Sequence, residues 1–183
     1  MYKTLLSIFT VLFLSISEVI ANENIIKTLK EGGNIIFIRH AIAPGSGDPE
    51  NFDLNDCNTQ RNLSDQGIKQ SKRLGLFFLK NEIPIDVVFS SEWCRCKDTA
   101  KYAFENYKTF NALNSFFSHK YQKNKNTQMK DLRLYLKSWR SNKNLILVTH
   151  YVTILEIINK SSSSGEILIT DSKLNLLGTI TDY

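Results

Sequence analysis

Three short, almost unbroken apolar runs punctuate the chain: Asn34 to Arg39, Asp86 to Phe89 and Asn144 to Thr149. Runs of this length with no polar alternation predict strands buried on both faces of a parallel sheet. Between them the apolar positions recur every three to four residues, the period of a helix facing a core. The spacing predicts a short helix over 24–31, stopped by Gly32-Gly33, and a helix from Asp65 to about Asn81. Ser64 is its cap, Ile68, Leu74, Gly75, Phe78 and Leu79 are its inner face, and Pro84 prevents extension. A third helix runs from Glu92 to about Asn106, capped by Ser90 or Ser91. A fourth covers 127–140 with Met129, Leu132, Leu136 and Trp139 on one stripe, and a fifth covers 151–159. Residues 110–117 fit a strand and turn, and two final strands are expected over 166–170 and 174–180. Strand and helix alternate throughout, which predicts an α/β three-layer sandwich around a mostly parallel sheet.

The first residues follow a different rule. Lys3 precedes the apolar run Leu5 to Ile16, and Val19-Ile20-Ala21 supplies small residues where a peptidase would cut. This is the layout of a secretory signal peptide, and the run is too short for a membrane span of ~20 residues. Residues 1–21 are therefore read as a signal peptide and 22–183 as one domain, exported to the periplasm or secreted, with no membrane span left after cleavage.

Charge and cysteines refine this picture. The formal net charge is +5. Lys120, Lys123, Lys125, Lys130, Arg133, Lys137, Arg140 and Lys143 face only Asp131. This stretch reads first as a solvated helix face and second as an attractor of anions. It lacks the interleaved aromatics of a single-strand nucleic-acid platform, so no nucleic-acid partner is expected. Cys57 has two candidate disulfide partners, Cys94 and Cys96. Cys96 shares a helical stripe with Ala100, Ala103 and Phe104, which suits a buried thiol and favours Cys94. The cysteine spacing fits no common zinc pattern, and no metal is expected.

The candidate chemistry stands at the strand ends. Arg39-His40 follows the first strand, Ser90-Ser91 with Arg95 follows the second, and Thr149-His150 follows the third. In an open α/β sheet, ligands bind beyond the carboxyl ends of the strands. Arginine forks suit a phosphate dianion, since each guanidinium offers parallel hydrogen bonds. A neutral imidazole can attack phosphorus to form a phosphohistidine that water later resolves. A second histidine can stabilise the charge that grows on the phosphoryl oxygens.

These residues carry a resemblance. Ile38-Arg39-His40-Ala41, Arg61-Asn62-Leu63-Ser64-x-x-Gly67, Ser90-Ser91-x-x-x-Arg95-x-x-x-Thr99-Ala100 and Val148-Thr149-His150 resemble the histidine phosphatase superfamily, with its phosphoglycerate-mutase-like fold. The likeness runs from about Asn34 to Thr170. It is nearest to an exported bacterial subgroup through Ala43-Pro44-Gly45-x-Gly47-Asp48-Pro49, Asp56-Cys57-x-Thr59-Gln60-Arg61-Asn62-Leu63, Trp93-Cys94-Arg95-Cys96, Leu113-Asn114-Ser115-Phe116-Phe117 and Ser164-Gly165-Glu166.

The resemblance implies a phosphomonoesterase-like phosphohydrolase acting on a small phosphorylated substrate without a cofactor. It makes His40 the phosphorylated nucleophile, Arg39 and Arg95 the phosphate clamp and His150 the second histidine. Arg61 falls at the rim, a candidate for meeting the substrate. Three positions depart from the pattern. Ala41 and Tyr151 replace glycines after the two histidines. Ser115 follows Leu113-Asn114 where a glutamic acid is usual, and a serine is too weak an acid to protonate an alkoxide. The alternatives are another carboxylic acid, with Asp48 and Glu166 favoured over Asp53 and Asp56, a leaving group that needs no proton, or a slow enzyme. The competing class is a non-catalytic phosphate- or sugar-phosphate-binding protein of the cell envelope.

Overall fold

The computed structural model describes residues 23–183. The segment read as a signal peptide lies outside the described residues.

Six strands form one sheet. In chain order they are β1 (Ile35–Arg39), β2 (Ile85–Ser90), β3 (Lys108–Thr109), β4 (Asn144–Thr149), β5 (Ile167–Thr170) and β6 (Leu176–Ile180). Their spatial order is β3-β2-β4-β1-β5-β6. The β3–β2, β2–β4 and β4–β1 pairings are parallel, whereas β5 and β6 add antiparallel at one edge. The expected α/β sandwich with a mostly parallel sheet is the observed one.

The helices lie in two layers. They are α1 (23–31), α2 (Asp65–Lys80), α3 (Cys94–Phe104), α4 (His119–Gln122), α5 (Lys125–Ser138) and α6 (Tyr151–Ile158). Alternate residues of the central strands serve opposite faces. Ile36, Ile38, Val88, Ile146, Val148, Ile167 and Ile169 pack with Leu74 and Phe78 of α2 and Cys96 and Ala100 of α3. Ile35, Phe37, Leu145, Leu147 and Leu168 pack with Met129, Leu132 and Leu136 of α5 and Ile154 and Ile157 of α6. Each buried Leu or Ile side chain contributes roughly 1.5–3 kcal/mol, so burial on both faces fixes the central strands most firmly.

Some sequence expectations need correction. Leu79 is 73% exposed, because the inner face of α2 is completed by Gly67, Gln70 and Ser71 instead. Gln70 bonds to the loops above that face and Ser71 donates to Gly67 O of the same helix, which apolar periodicity does not register. Neither Ser90 nor Ser91 caps α3. Trp93 is the cap residue and makes no side-chain cap bond, and the first helical residue is Cys94. Residues 110–117 contain a 3₁₀ turn, Asn111–Leu113, that follows the short β3. The last two strands start at Ile167 and Leu176, because Glu166 and Leu174 belong to turns.

Two features lock the loop after β1 to α2. Ser64 accepts from the Gly67 amide (3.2 Å) and its own amide donates to Ile42 O (3.0 Å). Gly67 itself lies so close to Ile42 O that an added Cβ would stand 2.1 Å away. Only glycine lets the first turn of α2 approach this loop.

Candidate active site

The register of the sheet builds the first half of the site. Arg39 pairs with Thr149 and Ser90 pairs with Val148, so β1, β4 and β2 end side by side. The His40 amide donates to Thr149 O (2.9 Å) and the Ser91 amide donates to Val148 O (2.9 Å). Arg39, His40, Arg95 and His150 therefore converge on one pocket of about 140 Å³, which Arg61 and Asp48 also line. The two imidazole rings meet edge to face with centroids 5.6 Å apart.

His40 is 2% exposed. Its Nδ1 bonds to the Ala41 carbonyl at 2.8 Å. A carbonyl can only accept, so Nδ1 carries the hydrogen and Nε2 carries the lone pair. Burial holds the pKa of His40 well below the usual histidine value, and the nearby Arg95 and Arg39 lower it further. The ring is neutral at physiological pH, the state a nucleophile needs.

His150 is oriented by a relay. The Ser91 hydroxyl donates to Asn114 Oδ1 (3.1 Å), which leaves its oxygen to accept from His150 Nε2–H (2.9 Å). Nδ1 is then the acceptor facing Arg95 Nη2, at 3.5 Å. Burial first, then Arg95 and His40, keep this ring neutral as well. A bound phosphate dianion reverses that balance and favours the imidazolium.

The arginines divide into three positions. Arg39 Nη1 donates to Ser162 O (2.6 Å) while its guanidinium carbon lies 5.7 Å from the centre of the Tyr151 ring. Arg95 is 3% exposed and donates to both oxygens of Asp48, from Nη1 at 2.6 Å and from Nη2 at 3.2 Å. Arg39 and Arg95 each keep a buried Nε–H without a partner. Among the described residues Arg61 forms no surface ion pair. Its Nε donates to Gly47 O (2.7 Å) and its Nη1 to Ala43 O, so it straps the 43–47 loop onto the pocket. Burial first, then the neighbouring Arg95, lowers the pKa of Arg39 and Arg61.

The carboxylates expected as acids separate clearly. Asp48 lines the pocket. Glu166 does not; its Oε2 accepts from the Ser163 amide (2.7 Å) and closes the turn before β5. Asp56 caps the 3₁₀ turn Cys57–Thr59 and Asp53 accepts from the Asn55 amide. Ser115 lines the pocket beside Phe117, Ser118 and Tyr121.

The second half of the site is the long loop from Ala41 to Leu63, and it is built by side chains bonding to backbone. A disulfide joins Cys57 to Cys94 at the start of α3, and Cys96 is the buried thiol. Its pKa is pushed up to about 12, chiefly by burial. Gln60 accepts from the Cys94 amide (2.9 Å) and donates to Asp53 O (2.9 Å). Thr99 Oγ1 accepts from the Ala41 amide (3.0 Å), and Gln70 bridges Ile42 N (3.0 Å) and Ser164 O (2.8 Å). The Gly165 amide contacts the carbonyls of both Arg39 (3.1 Å) and His40 (3.2 Å).

Trp93, Thr99 and Asn114 stand within the sequence motifs, but the motifs give them no task, and Gln70 escapes sequence reasoning altogether. A polar Asn114 lodged between Leu113 and Phe116 is the signal that was available for the relay. Among the described residues no cluster of metal-ligating side chains occurs, and no helix is long and apolar enough to cross a membrane.

Comparison with known proteins agrees with this geometry. The family model described as histidine phosphatase superfamily (branch 1) matches residues 35–145. No curated protein matches the sequence. Among solved structures, the protein histidine phosphatase SixA complexed with tungstate aligns with a TM-score of 0.62 at 12% identity, covering 81% of this chain and 96% of that one. Phosphoglycerate mutase from Thermus thermophilus aligns at 0.57 with 15% identity, covering 82% and 99%. A mycobacterial glucosyl-3-phosphoglycerate phosphatase bound to VO3 aligns at 0.54 with 12% identity, covering 75% and 92%. At these identities the structures speak for the shared fold.

Proposed function

The chain belongs to the histidine phosphatase superfamily (branch 1), and on that premise we propose that it hydrolyses a small phosphorylated substrate through a phosphohistidine on His40. The observation that carries this reading is the neutral His40. Its Nδ1–H is fixed on Ala41 O and its ring shares the pocket with Arg39 and Arg95. Nε2 attacks phosphorus while Arg39 and Arg95 hold the nonbridging oxygens. His150 takes up charge on the same oxygens, in the orientation that Ser91 and Asn114 set. The positive charge that a metal supplies in other phosphatases here comes from Arg39, Arg61 and Arg95.

The exported bacterial subgroup is the finer placement we infer. The signal-like residues Lys3, Leu5 to Ile16 and Val19-Ile20-Ala21 support it, as does a disulfide suited to an oxidising compartment. Export and cleavage after Ala21 are checked by N-terminal sequencing of protein recovered from the periplasm or medium; an intact Met1 on recovered cytoplasmic protein would contradict them.

The reading is tested with an aryl phosphate. Wild type is expected to turn it over and to yield an alkali-stable, acid-labile phosphoryl label on His40. His40→Ala is expected to show neither. Equal rates in the two proteins would refute the assignment, and saturable binding without release would return the chain to the class of phosphate binders.

A further inference from the structure

This inference rests on His40 as the nucleophile and asks what protonates the leaving group. Asp48 is the only carboxylate on the described pocket wall. The hydroxyls of Ser115, Ser118, Tyr121 and Tyr151 beside it are far weaker acids.

As it stands, Asp48 has no proton to give. Its carboxylate accepts from Arg95 Nη1 (2.6 Å), Arg95 Nη2 (3.2 Å), Trp93 Nε1 (3.0 Å) and the Arg61 amide (3.4 Å). A carboxyl that faces four donors is an ionised acceptor. Yet the two Arg95 donors that hold it form the fork a substrate phosphate needs. A phosphate that takes these two donors displaces the carboxylate from them.

Exchange of partners changes the charges that face Asp48. When a phosphate dianion takes the fork, Asp48 loses its counter-ion and gains a doubly negative neighbour. Both changes favour the protonated carboxyl. The other groups around it do not undo this. The Arg61 guanidinium is committed to Gly47 O and Ala43 O. Arg39 is bonded to Ser162 O, His40 is neutral in the free protein, and the charge that His150 gains with a bound phosphate is set against the phosphoryl oxygens. The Asp48 side chain is 16% exposed at the pocket wall, and the bonds of Arg61 to Gly47 O and Ala43 O hold the loop backbone beside it.

We propose that Asp48 is the general acid of the reaction and that the substrate's own phosphate arms it by displacing its carboxylate from Arg95. In the first step His40 Nε2 forms the N–P bond as the P–O bond to the leaving group breaks. The electron pair of that bond stays on the leaving oxygen, and Asp48 delivers the proton it took from solvent, releasing an alcohol. In the second step water attacks phosphorus and gives its proton to the Asp48 carboxylate. The P–N bond breaks, His40 recovers its lone pair, inorganic phosphate leaves, and Asp48 returns its proton to solvent so that Arg95 recaptures the carboxylate.

The test compares wild type with Asp48→Asn on two substrates, para-nitrophenyl phosphate and glycerol phosphate. The nitrophenolate leaves without a proton; the alkoxide does not. Asp48→Asn is expected to lower kcat/KM, which reads the leaving-group step and not the shared hydrolysis of the phosphohistidine, by roughly 10²–10⁴-fold on glycerol phosphate and by less than about 10-fold on para-nitrophenyl phosphate. The alkaline limb of the kcat profile on glycerol phosphate is expected to vanish in the variant. Tungstate is expected to bind the variant at least as tightly as wild type, since no carboxylate then competes for Arg95; this also shows that the variant is folded. Equal losses on both substrates would reduce Asp48 to a holder of Arg95 and overturn the proposal. So would unchanged rates on both, or weaker tungstate binding. Full activity in His40→Ala would instead sink the nucleophile assignment, a result separate from all of these.

Discussion

The two halves of the pocket are made by different physics. His40 and His150 hang from adjacent parallel strands whose side chains are buried on both faces, and the ladder between them fixes where they stand. Asp48 and Arg61 sit in a loop with little apolar burial, held by Gln60, Thr99, Gln70, one disulfide and the Arg61 strap. The strand half resists change because moving it breaks the core. The loop half can exchange partners because most of its contacts outside the disulfide are hydrogen bonds, each worth about 1 kcal/mol net. A nucleophile that must stay fixed and an acid that must move thus each have the support they need.

Arg95 joins the halves, and its loss should be felt most. Arg95→Ala is expected to lower kcat/KM by roughly 10²–10³-fold, as removal of a charge-stabilising donor does. It also strands Asp48 as a half-buried charge, so a fall in thermal stability should accompany the kinetic loss. A variant with unchanged kinetics would show that the strand half binds phosphate alone.

Cleaving the Cys57–Cys94 bond tests the loop half by itself. Chain entropy assigns the closed loop ~4 kcal/mol. Cys57→Ser or chemical reduction should therefore lower the unfolding free energy by up to that amount while His40 still accepts phosphoryl label. Loss of labelling in a protein shown to be folded would mean that the strand half depends on the loop.

Acid probes the strand half. Both histidines have folded pKa values depressed below the unfolded value of ~6.5. Below that pH the unfolded chain binds protons the folded chain refuses, so stability falls as pH drops, by at most about 1.4 kcal/mol per pH unit for each histidine. Denaturant titrations at pH 7 and pH 5 should show this fall. Tungstate should blunt it by welcoming a proton on His150; an identical slope with and without the oxyanion would speak against that role.

The smallest effect is expected outside both halves. Glu166→Gln removes the carboxylate charge that faces the Ser163 amide but touches no pocket atom, so kcat is expected to stay within about twofold. A larger drop would bring Glu166 back as a candidate acid.

The strand half was legible in the sequence because it rests on local pattern. An apolar run announces a buried strand, a histidine after it announces a strand end, and parallel order brings such ends together. The loop half was legible as motif without meaning. Nothing in Gly45-x-Gly47-Asp48 says that Asp48 will meet Arg95, since the partners lie 47 residues apart and meet through side chains that follow no period. Asp48 and Glu166 look alike as acidic turn residues; only the folded chain shows that one faces the pocket and the other closes a turn. Leu79 misled for a related reason. The pattern of α2 says which face is apolar, but Gln70 and Ser71 fill part of the buried side because they bond to loops and backbone there.

Trp93 stacks on Phe52 with ring centres 5.2 Å apart, lies 5.5 Å from His150 and donates its indole hydrogen to Asp48. The chain has one other tryptophan, Trp139, bonded to Asp86 at the opposite end of β2. Intrinsic fluorescence thus has one emitter inside the pocket and one remote reference. A stopped-flow trace of oxyanion binding would read the release of the indole hydrogen in real time, with no dye and no labelled ligand.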